Sequence, residues 1–282
     1  MKIGVIGLGL MGGSFCRALK AYTNHQVYGA TRSSATVAFA MSVEAIDGPV
    51  ERLADLDLCL VALPPEETAS FLEKQVNRFR PGTVVIDICG VKRMIIDRAD
   101  KLYHDAGMRF LGCHPMAGKE NAGFANSDAN LYRGTSFIMT PTALTDPSAP
   151  PLVESLMKEI GFARIVKATP DAHDRIIAYT SQLAHVVSSA YIKSPTSGEI
   201  LGFSAGSFQD MTRVAKLDPE LWTTLFLRNR EPLIEEIDVL IDNLNQFREL
   251  LSNKDRDGLI DSLDLGRKLR EDVLRKQLGD QK

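Results

Sequence analysis

Short apolar runs and longer amphipathic stretches alternate through residues 1–168. The apolar runs Lys2–Ile6, Gln26–Ala30, Leu58–Leu63, Thr83–Ile88, Met108–Leu111, Ser136–Thr140 and Ala163–Val166 predict strands. Between most of them, Gly12–Ala21, Ala35–Ser42, Glu66–Phe79, Lys92–Ala106 and Ala149–Ile160 predict helices. Strands separated by helices argue for crossover units and a mainly parallel sheet. Runs such as Val84-Val85-Ile86 are apolar without alternation, as a strand covered on both faces should be.

After Thr169 the strand pattern stops. Thr169-Pro170-Asp171 reads as a helix start, with a capping hydroxyl, proline at the first helical position and an acid at the positive helix end. That helix is expected to run to Lys193, ahead of Ser194-Pro195. Asp218-Pro219-Glu220 repeats the start signal, and Pro232 is expected to kink or break the helical stretch after it. Leu233, Ile237, Leu240, Leu244, Phe247 and Leu251 then recur at coiled-coil spacing. A last helix is expected over Asp257–Lys276. The prediction is therefore an α/β chain: a Rossmann-type dinucleotide-binding domain over 1–168, then an all-α domain over 169–282.

Composition narrows the classes. The chain has 282 residues, 44% hydrophobic and 24% charged, which excludes disorder and low complexity. Its 33 basic and 36 acidic residues give no reason to expect a nucleic-acid or membrane partner. No apolar run reaches the ~20 residues of a membrane span, and the start lacks a signal-peptide layout. Cys16, Cys59, Cys89 and Cys113 have no Cys-x-x-Cys spacing and read as reduced thiols of a cytoplasmic protein. No metal site is read.

Gly7-Leu8-Gly9-Leu10-Met11-Gly12 contains G-x-G-x-x-G between a strand and a helix at the first strand of the alternating fold. Gly7 serves the tight turn, Gly9 the approach of backbone to a pyrophosphate, and Gly12 the packing of helix on strand. A glycine-rich turn without ligand is the alternative. The second strand leads into Thr31-Arg32-Ser33, where an acid would hold the ribose hydroxyls of NAD. Arginine with two hydroxyls suits a 2′-phosphate instead, so NADP is expected ahead of NAD. His114 comes after the fifth strand, at the edge where ligands of such sheets bind. A histidine there could take the proton of a substrate hydroxyl while its carbon gives up hydride.

Four segments are similar to the prephenate/arogenate dehydrogenase family of tyrosine biosynthesis. They are the loop from Gly7 to Ser14, Cys113-His114-Pro115-Met116-Ala117-Gly118-Lys119-Glu120, His173-Asp174 with Ser181-Gln182-Leu183-Ala184-His185, and the run from Phe208 to Lys216 with Asp218-Pro219 and Trp222. The resemblance implies oxidative decarboxylation of a cyclohexadienyl substrate and a homodimer through the helical domain. It also implies that His114 is the catalytic histidine, that Arg213 holds the ring carboxylate, and that His185, Ser181 and Glu120 line the pocket. Two positions depart from the pattern. Gly90 stands where many members have a serine beside the catalytic histidine, so a water or another hydroxyl is expected to take over that hydrogen bond. Gln182 stands where some have a second histidine, and it is expected near the substrate side chain with Glu120. The rival readings are a 3-hydroxyacid-type dehydrogenase using a lysine such as Lys193, and a nucleotide-sensing regulator, for which no DNA-reading module is found.

Overall fold

The computed structural model describes residues 1–119 and 121–279. Eight strands form one sheet: β1 (Lys2–Ile6), β2 (Gln26–Ala30), β3 (Gly48–Pro49), β4 (Leu58–Val61), β5 (Val84–Asp87), β6 (Arg109–Pro115), β7 (Ser136–Thr140) and β8 (Arg164–Lys167). Their order is β3-β2-β1-β4-β5-β6-β7-β8. All neighbours are parallel except β6 and β7, which run antiparallel with Gly112 opposite Thr140. The strand order reverses at β1, which lies between β2 and β4, and this is the switch point at which open α/β sheets bind nucleotides.

The crossover helices are α1 (Leu10–Tyr22), α2 (Ser34–Ser42), α3 (Pro65–Gln75), α4 (Arg93–Asp105) and α5 (Ala149–Glu159). They cover both faces of the sheet. Phe15 and Leu19 of α1, Ala40 of α2 and Val153 of α5 share a core with Val84 and Ile86. Leu72 of α3 and Ile95 and Ala99 of α4 share the opposite core with Val85. Neighbours along β5 thus face different cores, so the strand needs apolar residues at every position.

Beyond the sheet lie α6 (Pro170–Ile177), α7 (Leu183–Tyr191), α8 (Gly206–Thr212), α9 (Pro219–Arg228), α10 (Arg230–Ser252) and α11 (Arg256–Gly279). Thr169 caps α6, accepting from the Ala172 N–H, and Asp218 caps α9, accepting from the Leu221 N–H. The single helix expected from Thr169 to Lys193 contains a π turn at Ala178–Gln182 between α6 and α7. Pro232 neither kinks nor breaks α10. It lies in that helix's first turn, where no intrahelical donor is needed, and the break falls earlier, at Asn229. β6 runs four residues past its expected end, which makes His114 part of a strand.

The chain forms two compact units, Met1–Leu233 and Ile234–Lys282. The second comprises the rest of α10 and all of α11, and Gly258 lets the start of α11 approach Leu250; a Cβ there would come within 2.6 Å of the leucine. Leu244, Leu251, Leu263, Leu265 and Leu269 of this unit are exposed. Among the described residues no helix is long and apolar enough to cross a membrane.

Candidate active site

The glycine loop closes tightly where β1 meets α1. Gly7 has φ +100, and a Cβ on it would lie 2.3 Å from the Ala62 carbonyl oxygen. A Cβ on Gly12 would lie 1.9 Å from the Gly7 carbonyl oxygen. Any side chain at either position collides with backbone. Gly9 differs, since a Cβ there would meet no protein atom within 4 Å. That open side is the space a ligand needs. Gly9 is also the N-cap of α1; no side chain caps the helix and no acid occupies its first turn. The first-turn N–H groups therefore suit an anion, and the cradle fits a dinucleotide pyrophosphate. Leu8 points into the core, Leu10 opens the helix, and the Met11 carbonyl accepts from the Tyr132 hydroxyl at 2.7 Å.

At the end of β2, Thr31 is half-buried and Arg32 is exposed. Among the described residues no carboxylate pairs with Arg32. The Ser33 hydroxyl accepts from the Thr36 N–H at 3.2 Å and so caps α2, whose first turn also carries no acid.

His114 stands near the carboxyl end of β6, partly exposed, beside Gly90. A Cβ on Gly90 would lie 3.8 Å from His114 Nε2 and 3.5 Å from Leu225 of α9, so Gly90 itself places no side chain against that nitrogen. The opposite nitrogen is engaged: His114 Nδ1 lies 2.9 Å from His173 Nε2. His173, 1% exposed, places its own Nδ1 2.7 Å from Asp174 Oδ1. The contact of His114 with this α6 imidazole is on the ring nitrogen away from Gly90. Asp174 receives the N–H groups of Lys92 at 2.8 Å and Arg93 at 2.9 Å, which caps α4 from outside its own sequence. Beneath, Lys92 is fully buried with Asp87. Its ammonium donates to the Asp87 carboxylate and, at 2.6 Å, to the Cys113 carbonyl just before His114. Burial, then the charges of His173 and Lys92, hold the His114 imidazolium well below the usual histidine range. That favours the neutral ring, the form able to accept a proton.

The other predicted residues gather on the helices. His185, half-buried, has Nδ1 2.9 Å from the Ser181 carbonyl and stacks on Trp222 with ring centroids 3.5 Å apart. Burial is the main cause that lowers its pKa, and Arg213 is near enough to lower it further. Arg213 itself is exposed and begins a short 3-10 turn, Arg213–Ala215. Trp222 and Leu225, one turn apart on α9, join the two groups: the first touches His185 and the second flanks Gly90 beside His114. Ser181 and Gln182 both lie in the π turn, a feature common at functional sites. Gln182 is buried with its amide turned inward, accepting from Asn229 at 2.7 Å and donating to the Leu225 carbonyl at 3.2 Å. The expected place of Gln182 beside a substrate side chain is thus replaced by one inside the helical packing. Glu120 lies outside the described residues. Lys193, the lysine of the rival dehydrogenase class, is exposed in the turn after α7. His173 and Asn229 are the participants to which sequence reasoning assigned no part.

A doubly covered nucleotide-type sheet, an open glycine cradle and a histidine near the carboxyl end of a strand define a protein of the dinucleotide-binding class. Comparison with known proteins narrows this class. Residues 15–167 match the family description "Prephenate dehydrogenase, nucleotide-binding domain", and residues 169–265 match "Prephenate dehydrogenase, dimerization domain". The chain belongs to the prephenate dehydrogenase family. It is 30% identical over 280 residues to the cyclohexadienyl dehydrogenase of Zymomonas mobilis, covering 95% of this chain and 94% of that one. Its structure is similar to prephenate dehydrogenase from Aquifex aeolicus in complex with hydroxyphenyl propionate and NAD+, at a TM-score of 0.85 and 26% identity over 97% of this chain and 98% of the other. Synechocystis arogenate dehydrogenase gives a TM-score of 0.83 at 28% identity, over 97% of this chain and all of the other.

Proposed function

We propose that this protein oxidatively decarboxylates prephenate or arogenate, giving 4-hydroxyphenylpyruvate or tyrosine, with a nicotinamide dinucleotide as oxidant. The observation that carries the reading is His114, neutral, with one ring nitrogen beside Gly90 and the other engaged. His114 accepts the proton of the C4 hydroxyl. A nicotinamide held by the glycine cradle would supply the acceptor for the hydride of the same carbon. As the ring carboxylate leaves as carbon dioxide its bonding electrons aromatise the ring, and the C4 oxygen takes back the proton from His114. Aromatisation makes this strongly downhill, so the protein's main task is alignment.

Arg213 grips the substrate carboxylate with its fork of donors. His185 and Ser181 line the remainder of the pocket. Gly7 to Gly12 hold the pyrophosphate, and Thr31, Arg32 and Ser33 receive the adenosine ribose. Arg32, without a carboxylate partner, and the acid-free start of α2 support NADP over NAD. The functional division is 1–168 for the nucleotide and 169–282 for substrate and pairing. Exposed leucines on α10 and α11 support a homodimer through the helical domain, and four free, buried cysteines support the cytoplasm.

One assay tests the reading: the rise of reduced-nicotinamide absorbance with NADP or NAD and each of the two substrates. NADP reduction with at least one substrate is expected, and no reduction in any of the four pairings rejects the function. Arg32→Ala should weaken NADP about tenfold, as loss of a hydrogen bond to a charged group implies, and leave NAD nearly untouched. Equal losses would reject the cofactor choice. A monomer in light scattering at micromolar concentration would remove the dimer.

A further inference from the structure

We propose that His173 and Asp174 are positioning residues for His114, fixing which of its nitrogens is the base and sharing the positive charge it acquires. The proposal rests on the functional reading above and deepens it. Nothing in the sequence pattern assigned these residues a part in the reaction.

The argument starts at Asp174. Its carboxylate receives two main-chain N–H groups at the first turn of α4, Lys92 on Oδ1 and Arg93 on Oδ2. Both oxygens thus accept from main-chain donors at the positive end of a thirteen-residue helix, and the carboxylate serves as an acceptor. The neighbouring His173 Nδ1, 2.7 Å from Oδ1, must then carry a hydrogen. In neutral His173 the other nitrogen, Nε2, has a lone pair and accepts. Its partner at 2.9 Å is His114 Nδ1, which must therefore be the protonated nitrogen of His114. The lone pair of His114 is left on Nε2, the atom beside Gly90. A carboxylate on α6 thus sets the tautomer of a ring on β6 through one intervening imidazole. Each hydrogen bond in the chain has a single allowed direction.

The same bonds keep the reaction balanced. When the substrate hydroxyl proton moves to His114 Nε2, the ring becomes an imidazolium with hydrogens on both nitrogens. Its Nδ1–H still points at His173 Nε2, and the His173 Nδ1–H still points at the carboxylate. No group needs to turn, and the new charge is stabilised through two hydrogen bonds to an anion. The charged and titratable groups packed around the pair are Asp174 of α6, Lys92 at the head of α4, Asp87 of β5 and Cys113 of β6. Lys92 acts against the imidazolium and is itself countered by Asp87.

The test uses the full chain with NADP and whichever substrate it turns over. His173→Ala should lower kcat about 100-fold, within the range for general-base catalysis, with KM and cofactor affinity unchanged. It should also displace the acid limb of the pH profile. His173→Gln keeps an acceptor at the reach of Nε2 and should restore most of kcat. Nitrogen-15 NMR of histidine-labelled wild type provides a readout that needs no activity. His114 should be the Nδ1–H tautomer, and should become a mixture in His173→Ala. A His114 protonated on Nε2 in the wild type overturns the proposal, as does unchanged kcat in His173→Ala. A variant that loses kcat, KM and cofactor binding together without rescue by glutamine also overturns it, since that is the mark of a merely structural role. Should the wild type oxidise neither substrate, the functional reading fails while the tautomer measurement still decides this one.

Discussion

Two histidines of the same unit are held in opposite ways. His114 sits on a strand and is fixed by side chains from elsewhere in the fold: His173 beside it, Asp174 behind that, and the buried Lys92 and Asp87 under the preceding carbonyl. His185 sits on a helix and is fixed by its own backbone, through the Ser181 carbonyl one turn back, and by the face of Trp222. Burial lowers the pKa of both rings. Only His114 belongs to a chain of donors and acceptors ending in an anion, as a group that must take up a proton requires. A ring backed by a carbonyl and an indole is suited to shape and contact. The two sites therefore separate chemistry from grip, and substitutions should separate them too.

His114→Asn should have the largest effect, a fall in kcat of roughly 10²–10⁴ with substrate and cofactor still bound. Near-normal turnover would break the comparison by moving the base to His185. Arg213→Ala should act on the other side. Loss of a carboxylate's partner costs about 2 kcal/mol at the lower end of the range, appropriate because Arg213 is exposed in the free protein. That is about a thirty-fold rise in KM, with Arg213→Lys restoring part of it. A change confined to kcat would show that Arg213 does not grip the carboxylate. Trp222→Leu removes the stack on His185, worth about 0.5–1.5 kcal/mol, and should raise KM a few-fold while leaving the pH profile alone.

The mildest test is the profile itself. The neutral ring is the active form and its pKa is pushed down, so activity should rise with pH through a limb below the ~6.5 of free histidine. It should be near its plateau at neutral pH. A limb above ~6.5 would mean that the polar chain behind His114 raises its basicity more than burial lowers it.

Much of the sheet was legible because strands covered on both faces leave a simple trace: unbroken apolar runs such as Leu58–Val61 and Val84–Ile86. β6 was read short because Gly112, Cys113 and His114 lack that trace. Pairing with the antiparallel β7, a contact across the chain, carries the strand to Pro115. β3 has two residues, one of them proline, too few to register as a pattern. The π turn is equally silent, since one extra residue in a helix leaves the amphipathic spacing nearly intact. The glycine cradle, His114 and the caps at Thr169 and Asp218 were readable because each demands a particular residue type at a particular place. Asp174 caps α4 through the N–H groups of Lys92 and Arg93, 82 and 81 positions earlier, and no local spacing reveals a partner at that distance. The contact of His173 with His114, 59 positions away, was hidden for the same reason, as was that of Gln182 with Asn229, 47 residues further on.

Asp174 also bears on how far the molecule can be taken apart. The N-terminal turn of α4 has no capping side chain of its own, and the two N–H groups it presents to Asp174 are met by a residue beyond the last strand of the sheet. A fragment ending at Ala168 would keep every strand and the whole glycine cradle yet leave α4 uncapped, at a cost of about 1 kcal/mol. It would also leave His114 with no acceptor for its Nδ1–H. Such a fragment could still retain nucleotide, but its histidine would be free to adopt either tautomer. On the proposed function, the nucleotide half should bind without the helical domain but not catalyse, and swapping helical domains between relatives should also exchange the element that orients His114.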